Sequence, residues 1–156
     1  MYVTLVGRSS WAVINSLYSV LHEGLFQPDY IHIFVEDLFE DKVSLVEKGL
    51  RLVCEAYGFD VEMGYDVVGN AKFVNAGLRV NMRIKDFKDK GCRIGLDVTP
   101  GRKSLMAASL ICAERLGVDH IFYLAVDEIE DIPFMLKPIR ELHLRDFLKE
   151  VEQVNL

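Results

Sequence analysis

Apolar residues in this chain gather in short β-rich runs, and between the runs they recur every three or four positions. Tyr2 to Val6 is the first run and ends at Gly7-Arg8-Ser9-Ser10; Trp11 to Leu21 follows with Ile14, Leu17, Tyr18 and Leu21 at helical spacing. Tyr30 to Val35 predicts a second strand, and Val43, Val46, Leu50, Val53, Cys54 and Tyr57 mark one face of a helix that stops at Gly58. Phe59 to Val67 reads as a third strand, interrupted by Gly64. Between 70 and 90 the positions Phe73, Val74, Leu78, Val80, Met82, Ile84 and Phe87 predict a helix. Cys92 to Val98 predicts the fourth strand, Arg102 to Leu116 the next helix and His120 to Val126 the fifth strand. The pattern then changes. Asp127 to Asp131 is an acidic turn, Phe134 to Leu136 reads as a short strand returning beside the fifth, and Leu142 to Val154 is a polar amphipathic segment.

Strands alternating with helices of this length specify an α/β domain, because each right-handed crossover must lay its helix on a sheet face. The expected architecture is Rossmann-like: a mainly parallel six-stranded sheet, helices on both faces, and an antiparallel C-terminal edge strand. With 156 residues, 51% of them hydrophobic, residues 1–156 are expected to form one domain with a substantial core. No internal repeat or linker divides them. No run approaches the roughly 18 uninterrupted apolar residues of a membrane span, and Met1 leads directly into a strand, so a cytoplasmic protein without a membrane partner is expected. Cys54, Cys92 and Cys112 lie far apart in apolar contexts and read as small core residues. The net charge of -6 argues against duplex nucleic acid as a partner, since that needs an extended basic surface.

A local basic pocket is compatible with that total, and the turns supply one. Asp97-Val98-Thr99-Pro100-Gly101-Arg102-Lys103-Ser104 joins the fourth strand to a helix, the layout in which unpaired helix N–H groups and the positive end of the helix dipole meet an anion. Arg102 can grip a phosphate with two parallel hydrogen bonds, and Lys103 adds a mobile point charge. The same residues also describe an ordinary turn, with Asp97 or Thr99 as a cap, Pro100 in a first turn and Gly101 as turn former. In open α/β sheets ligands bind beyond the carboxyl ends of the strands, where strand order reverses. There the turn after strand one would face the turn after strand four, adding Arg8, Ser9 and Ser10 to Thr99, Arg102, Lys103 and Ser104. Such a set suits a molecule with several phosphates. The dinucleotide fingerprint G-x-G-x-x-G is absent, which leaves Glu36 and Asp37 after strand two as weak evidence, and the glycine spacing of a Walker A loop is missing. His22, His32, His120 and His143 show no ligand spacing, and the carboxylates Asp127, Glu128, Glu130 and Asp131 read as a solvated turn, so no metal and no cofactor is expected.

Gly7-Arg8-Ser9-Ser10 and Asp97-x-Thr99-x-Gly101-x-Lys103-Ser104, set in this order of strands and helices, resemble the CRISPR-associated Rossmann fold (CARF) domains. The likeness extends over nearly the whole chain, including the returning strand near Phe134. Two departures stand out: Pro100 occupies a position where Gly is commoner, and no effector domain follows in this sequence. The resemblance implies a homodimer that binds a cyclic oligoadenylate, the second messenger of type III CRISPR immunity, across its two-fold axis. The ligand would meet Gly7, Arg8, Ser9, Ser10 and Trp11 from the first turn and Asp97, Thr99, Pro100, Gly101, Arg102, Lys103 and Ser104 from the second. The dimer contact would come from the helices that open at those turns, because Leu105 to Leu116 is apolar nearly all round; a deeply buried helix of a monomer would look the same.

Stand-alone members of the family include ring nucleases, in which a ribose 2′-hydroxyl attacks the neighbouring phosphorus. For that chemistry Lys103 and Arg102 would stabilise charge and Ser10 would orient ribose or phosphate, without a metal. A non-catalytic sensor serving a separate effector needs the same pocket. A nucleotide or sugar-phosphate enzyme unrelated to CARF proteins remains a third reading, by fold analogy alone.

Overall fold

The computed structural model describes residues 1–126, 132 and 142–153. Its strands are β1 (Tyr2–Val6), β2 (Tyr30–Glu36), β3 (Glu62–Val68), β4 (Gly95–Asp97), β5 (His120–Val126) and β6 (Leu142–Asp146). Its helices are α1 (Ser10–His22), α2 (Val43–Ala56), α3 (Phe73–Asp89), α4 (Lys103–Leu116) and α5 (Phe147–Gln153). The strands form one sheet in the order β3-β2-β1-β4-β5-β6, parallel except for the antiparallel pairing of β5 with β6. The expected six-stranded Rossmann-like α/β architecture is the one observed.

Alternation along the central strands divides the core in two. Tyr2 and Val6 of β1, with Ile31, Ile33 and Val35 of β2, pack under α1 and α2, whereas Val3, Leu5 and Phe34 pack under α3 and α4. All of these side chains are buried, as parallel strands covered on both faces require. β1 lies between β2 and β4, so strand order reverses there and the turns after β1 and β4 leave the same edge side by side.

Four expectations change. Strand three begins at Glu62 rather than Phe59, because the Phe59 N–H still bonds back to the Cys54 carbonyl at 3.2 Å and closes α2 before pairing starts. Strand four shrinks to Gly95–Asp97: beyond it the Val98 N–H still reaches the Phe122 carbonyl at 3.0 Å, but Thr99 turns away. The segment 142–154, read as one amphipathic stretch, is a strand followed by a helix. Leu142–Asp146 is the returning strand, pairing Phe122 with Asp146 and Val126 with Leu142. The strand expected at 134–136 and the acidic turn 127–131 lie outside the described residues. A 3-10 turn at Asp37–Lys42, absent from the periodicity, links β2 to α2.

The apolar circumference of α4 is in good part satisfied within the chain. Its Leu105, Ala108, Cys112 and Ala113 are buried, and α3 covers a second side, with the Cys112 thiol donating to the Gly77 carbonyl at 3.2 Å. α1 is sealed more fully, with Val13 to Leu21 buried except for the half-buried Tyr18. Exposed apolar residues are found along α3, where Val74, Leu78 and Met82 follow one another at four-residue spacing and are 71%, 60% and 63% exposed, on α4 at Ile111, and on α2 at Leu45 and Leu52.

Candidate ligand site

The two glycine turns touch, and close packing explains both glycines, Gly7 against the second turn and Gly101 against β1. A Cβ on Gly7 would stand 2.2 Å from the Pro100 carbonyl oxygen, and one on Gly101 would stand 2.5 Å from a methyl of Leu5. Neither position has room for a side chain. Pro100 presses its backbone onto the first turn and lies at the junction of the two loops.

Asp97 sits beneath this junction, fully buried at the end of β4. Its carboxylate accepts from the Thr4 hydroxyl at 2.8 Å and from the Thr99 backbone N–H at 3.0 Å. The Thr99 hydroxyl in turn accepts from the Leu124 N–H at 2.9 Å and lies 3.3 Å from the Ser16 hydroxyl. Burial raises the Asp97 carboxyl above the usual carboxylate range, against the hydrogen bonds from Thr99, Ser16 and Thr4 that favour its charged form. Its place is under the turn, holding three strands and α1 in register.

A cavity of about 710 Å³ opens above. It is lined by Arg8, Ser9 and Ala12 from the first turn, by Thr99, Pro100, Gly101, Arg102, Lys103 and Ser104 from the second, and by Ala71 from the loop after β3. The structure thus brings together most of the residues that the sequence selected. Gly7 lies behind the wall and Asp97 below it. Ser10, half-buried, opens α1 but is not part of the lining, and Trp11 turns away into an apolar cleft between α1 and α2 with Ile14, Tyr18, Leu45 and Tyr57.

The helix ends differ in what they leave open. Ser9 caps α1, its hydroxyl accepting from the Ala12 N–H at 3.1 Å, so one of the exposed donors of that helix is already engaged. The N-cap of α4 is Arg102, and no side chain there accepts from the first turn; the first intrahelical bond runs from the Met106 N–H to the Arg102 carbonyl at 2.8 Å. The backbone donors of Lys103, Ser104 and Leu105 are therefore the ones a bound anion would complete.

The cations differ as well. Lys103 and Arg8 are exposed, and among the described residues neither side chain has an ion-pair partner. Lys42 donates through Nζ to the Arg8 carbonyl and brings a further positive charge to the first turn. Arg102 is only 37% exposed, and its Nη1 lies 3.3 Å from Oε2 of Glu36, whose side chain is 2% exposed. The same Nη1 donates to Asn70 Oδ1 at 2.5 Å. One of the three expected phosphate-binding cations is thus held by a carboxylate. Sequence reading gave Glu36 little weight and missed Asn70 and Ala71, although an acidic residue closing a central strand at the reversal point was the available signal. Ala71 carries a positive φ of 55°, unusual for a residue with a Cβ.

No group of three or more His, Cys, Asp or Glu side chains among the described residues could hold a metal ion, and none of the described helices is long and apolar enough to cross a membrane.

No family model matches the sequence, and no curated protein matches it. Solved structures do. Can2 from Sulfobacillus thermosulfidooxidans, solved with cyclic tetra-adenylate, superposes with a TM-score of 0.59 at 14% identity over 80% of this chain and 31% of its own. Csm6 from Enterococcus italicus, bound to cyclic hexa-2′-fluoro-hexa-dAMP, superposes with a TM-score of 0.61 at 14% identity over 98% of this chain and 42% of its own. The chain thus spans less than half the length of either neighbour. Strand order, the adjacent turns and these two superpositions agree: this chain has a Rossmann-like fold similar to that of these two structures.

Proposed function

We propose that this chain binds a cyclic oligoadenylate, cyclic tetra-adenylate in the first place, in the cavity between the turns after β1 and β4, and that it does so as a homodimer. The observation that carries this reading is the uncapped N-terminus of α4, set in one cavity with Arg8 and Lys103, two cations without ion-pair partners among the described residues. Fixed donors and unneutralised cations at the reversal point of a Rossmann-like sheet suit a ligand that presents several phosphates in a small volume. Both structural neighbours were solved with a cyclic adenylate, which supports the ring among such ligands.

The reaction that fits the cavity is opening of the ring. The 2′-oxygen of one ribose forms a bond to the adjacent phosphorus as the P–O5′ bond breaks. The 2′-hydroxyl proton leaves and the 5′-oxygen gains one, giving a 2′,3′-cyclic phosphate and a 5′-hydroxyl. The nucleophile belongs to the substrate, so the protein has to hold attack in line and stabilise charge on the phosphoryl oxygens. Lys103 and the α4 backbone donors would serve the second task, with Arg102 beside them. Ser10 would orient ribose or phosphate, by a movement that brings it from α1 to the lining.

Binding without cleavage is the second reading, and the position of Ser10 outside the lining favours it. The two separate in one assay: incubation with cyclic tetra- and hexa-adenylate in EDTA, with products resolved by chromatography. Linear products ending in cyclic phosphate support the nuclease, an intact ring that co-elutes with the protein supports a sensor serving another chain, and an intact ring that does not bind contradicts the proposal.

A further inference from the structure

Three residues that line the cavity converge on one buried carboxylate that does not line it. Oε1 of Glu36 accepts from the Ala71 N–H at 3.2 Å and from the Ser104 hydroxyl at 3.3 Å, while Oε2 faces Arg102 Nη1 at 3.3 Å. Glu36 closes β2, Ala71 belongs to the loop before α3, and Arg102 and Ser104 open α4. A single side chain therefore joins three separate loops at the wall of the site.

We propose that Glu36 is a positioning residue: it fixes the guanidinium of Arg102 at the cavity before ligand arrives. The inference rests on the ring-cleavage reading for its consequence, though not for its geometry. Stability gives no sufficient reason for this carboxylate. A buried ion pair returns little once desolvation is counted, and Oε2 makes no well-aligned hydrogen bond, so an amide, whose oxygen would still accept from Ala71 and Ser104, would serve the core as well. What the pair supplies is orientation. Arginine has five N–H donors in a rigid fork, and the contacts Arg102 makes among the described residues use Nη1 alone, on Glu36 Oε2 and Asn70 Oδ1. Held at that corner, the fork retains its other donors for a phosphate and loses less freedom when the phosphate binds. The charge of Glu36 also opposes the incoming anion. Removing it should therefore affect binding and cleavage in opposite directions, which a merely structural role would not do.

The test compares wild type, Glu36→Gln, Arg102→Ala and the double variant. Binding is measured with 2′-fluoro cyclic tetra-adenylate, which lacks the attacking hydroxyl, and cleavage with cyclic tetra-adenylate. E36Q is expected to bind the fluoro ring as tightly as wild type or several-fold tighter, and to cleave roughly ten- to a hundred-fold more slowly as the fork loses its alignment. On the R102A background E36Q should change cleavage less than about two-fold, since a residue acting through another has nothing to act on once that partner is gone. Parallel losses of binding, cleavage and thermal stability in E36Q, or an undiminished E36Q effect on R102A, would overturn the proposal. Rotation of the Arg102 guanidinium, read by nitrogen-15 exchange NMR in the ligand-free wild type, tests the clamp without any ring: slow rotation supports it and fast rotation overturns it. A wild type that ignores the ring but rotates slowly would contradict the ring reading and leave the clamp standing.

Discussion

Lys103 and Arg102 are neighbours in sequence and opposites in circumstance, which decides what each can contribute. Lys103 begins α4 with its ammonium exposed, so its charge is available to a phosphoryl group, while much of the charge of Arg102 is answered by Glu36 before any ligand arrives. The account predicts that Lys103→Ala slows ring cleavage by about two to three orders of magnitude, the usual consequence of losing one preorganised charge donor. Binding of the 2′-fluoro ring should weaken only a few-fold, because the interaction grows as charge develops in the transition state. Single-turnover cleavage and equilibrium titration of the same variant check this, and equal losses in both would make Lys103 a ground-state contact. The residues of both turns were legible in the sequence because phosphate chemistry restricts them to glycines, hydroxyls and cations. The Glu36–Arg102 pair was not, because it joins positions 66 residues apart (102 − 36) that no local pattern relates.

At the scale of elements, the alternation of periods identified five strands and the four helices α1 to α4, since long parallel strands and amphipathic helices leave strong signals. Boundaries moved where a neighbouring element claimed the backbone, as at Phe59, whose N–H closes α2, or where an alternation as short as Leu142 to Arg145 adjoined a helix and the two read as one amphipathic stretch. The edge at β3 rests on a charged cluster with a pH dependence of its own. Asp66 accepts from His32 Nε2 at 3.0 Å and Arg83 Nη2 at 3.2 Å, tying β3 to β2 and α3. Burial alone would raise the Asp66 carboxyl; the hydrogen bonds and charges of His32 and Arg83 outweigh it and hold the carboxyl below its ordinary range. His32 is lowered by burial and by the charge of Arg83, against Asp66. Both groups bind protons less readily folded than unfolded, so each contributes stability that is present above its ordinary pKa and is lost as pH falls through its lowered one. Amide protection in β3 should accordingly weaken first on acidification, beginning below the usual histidine range. Arg83→Ala should move the Asp66 midpoint upward in a carbon-13 NMR titration; an unmoved midpoint would show that Arg83 does not hold the carboxylate.

For the whole molecule, the internal packing of α1 and α4 makes the exposed stripe of α3 a further surface on which two copies could meet. The sequence points to the helices that open at the two turns; in the structure most of α1 from Val13 to Leu21 is buried within the chain and α4 shares its flank with α3. Among the exposed apolar residues, Val74, Leu78 and Met82 of α3 with Ile111 of α4 form a stripe of the kind that a partner covers. A dimer at micromolar concentration is the expected result of analytical ultracentrifugation, shifting toward monomer in a Leu78→Glu, Met82→Glu variant. A monomer with or without ring would contradict it.

The central claim is that one compact basic cavity on an acidic molecule selects a polyphosphate ring. On this account its fixed donors meet a ring already curved to them, whereas a linear strand must lose chain entropy to adopt that shape, and duplex DNA meets a molecule of net charge -6. Competition at physiological salt tests this most directly. Labelled 2′-fluoro cyclic tetra-adenylate bound to the protein should resist a large excess of linear oligoadenylate or duplex DNA and yield to unlabelled ring. Displacement by either polymer at a concentration comparable to the ring would make the surface a general nucleic-acid site and contradict the account.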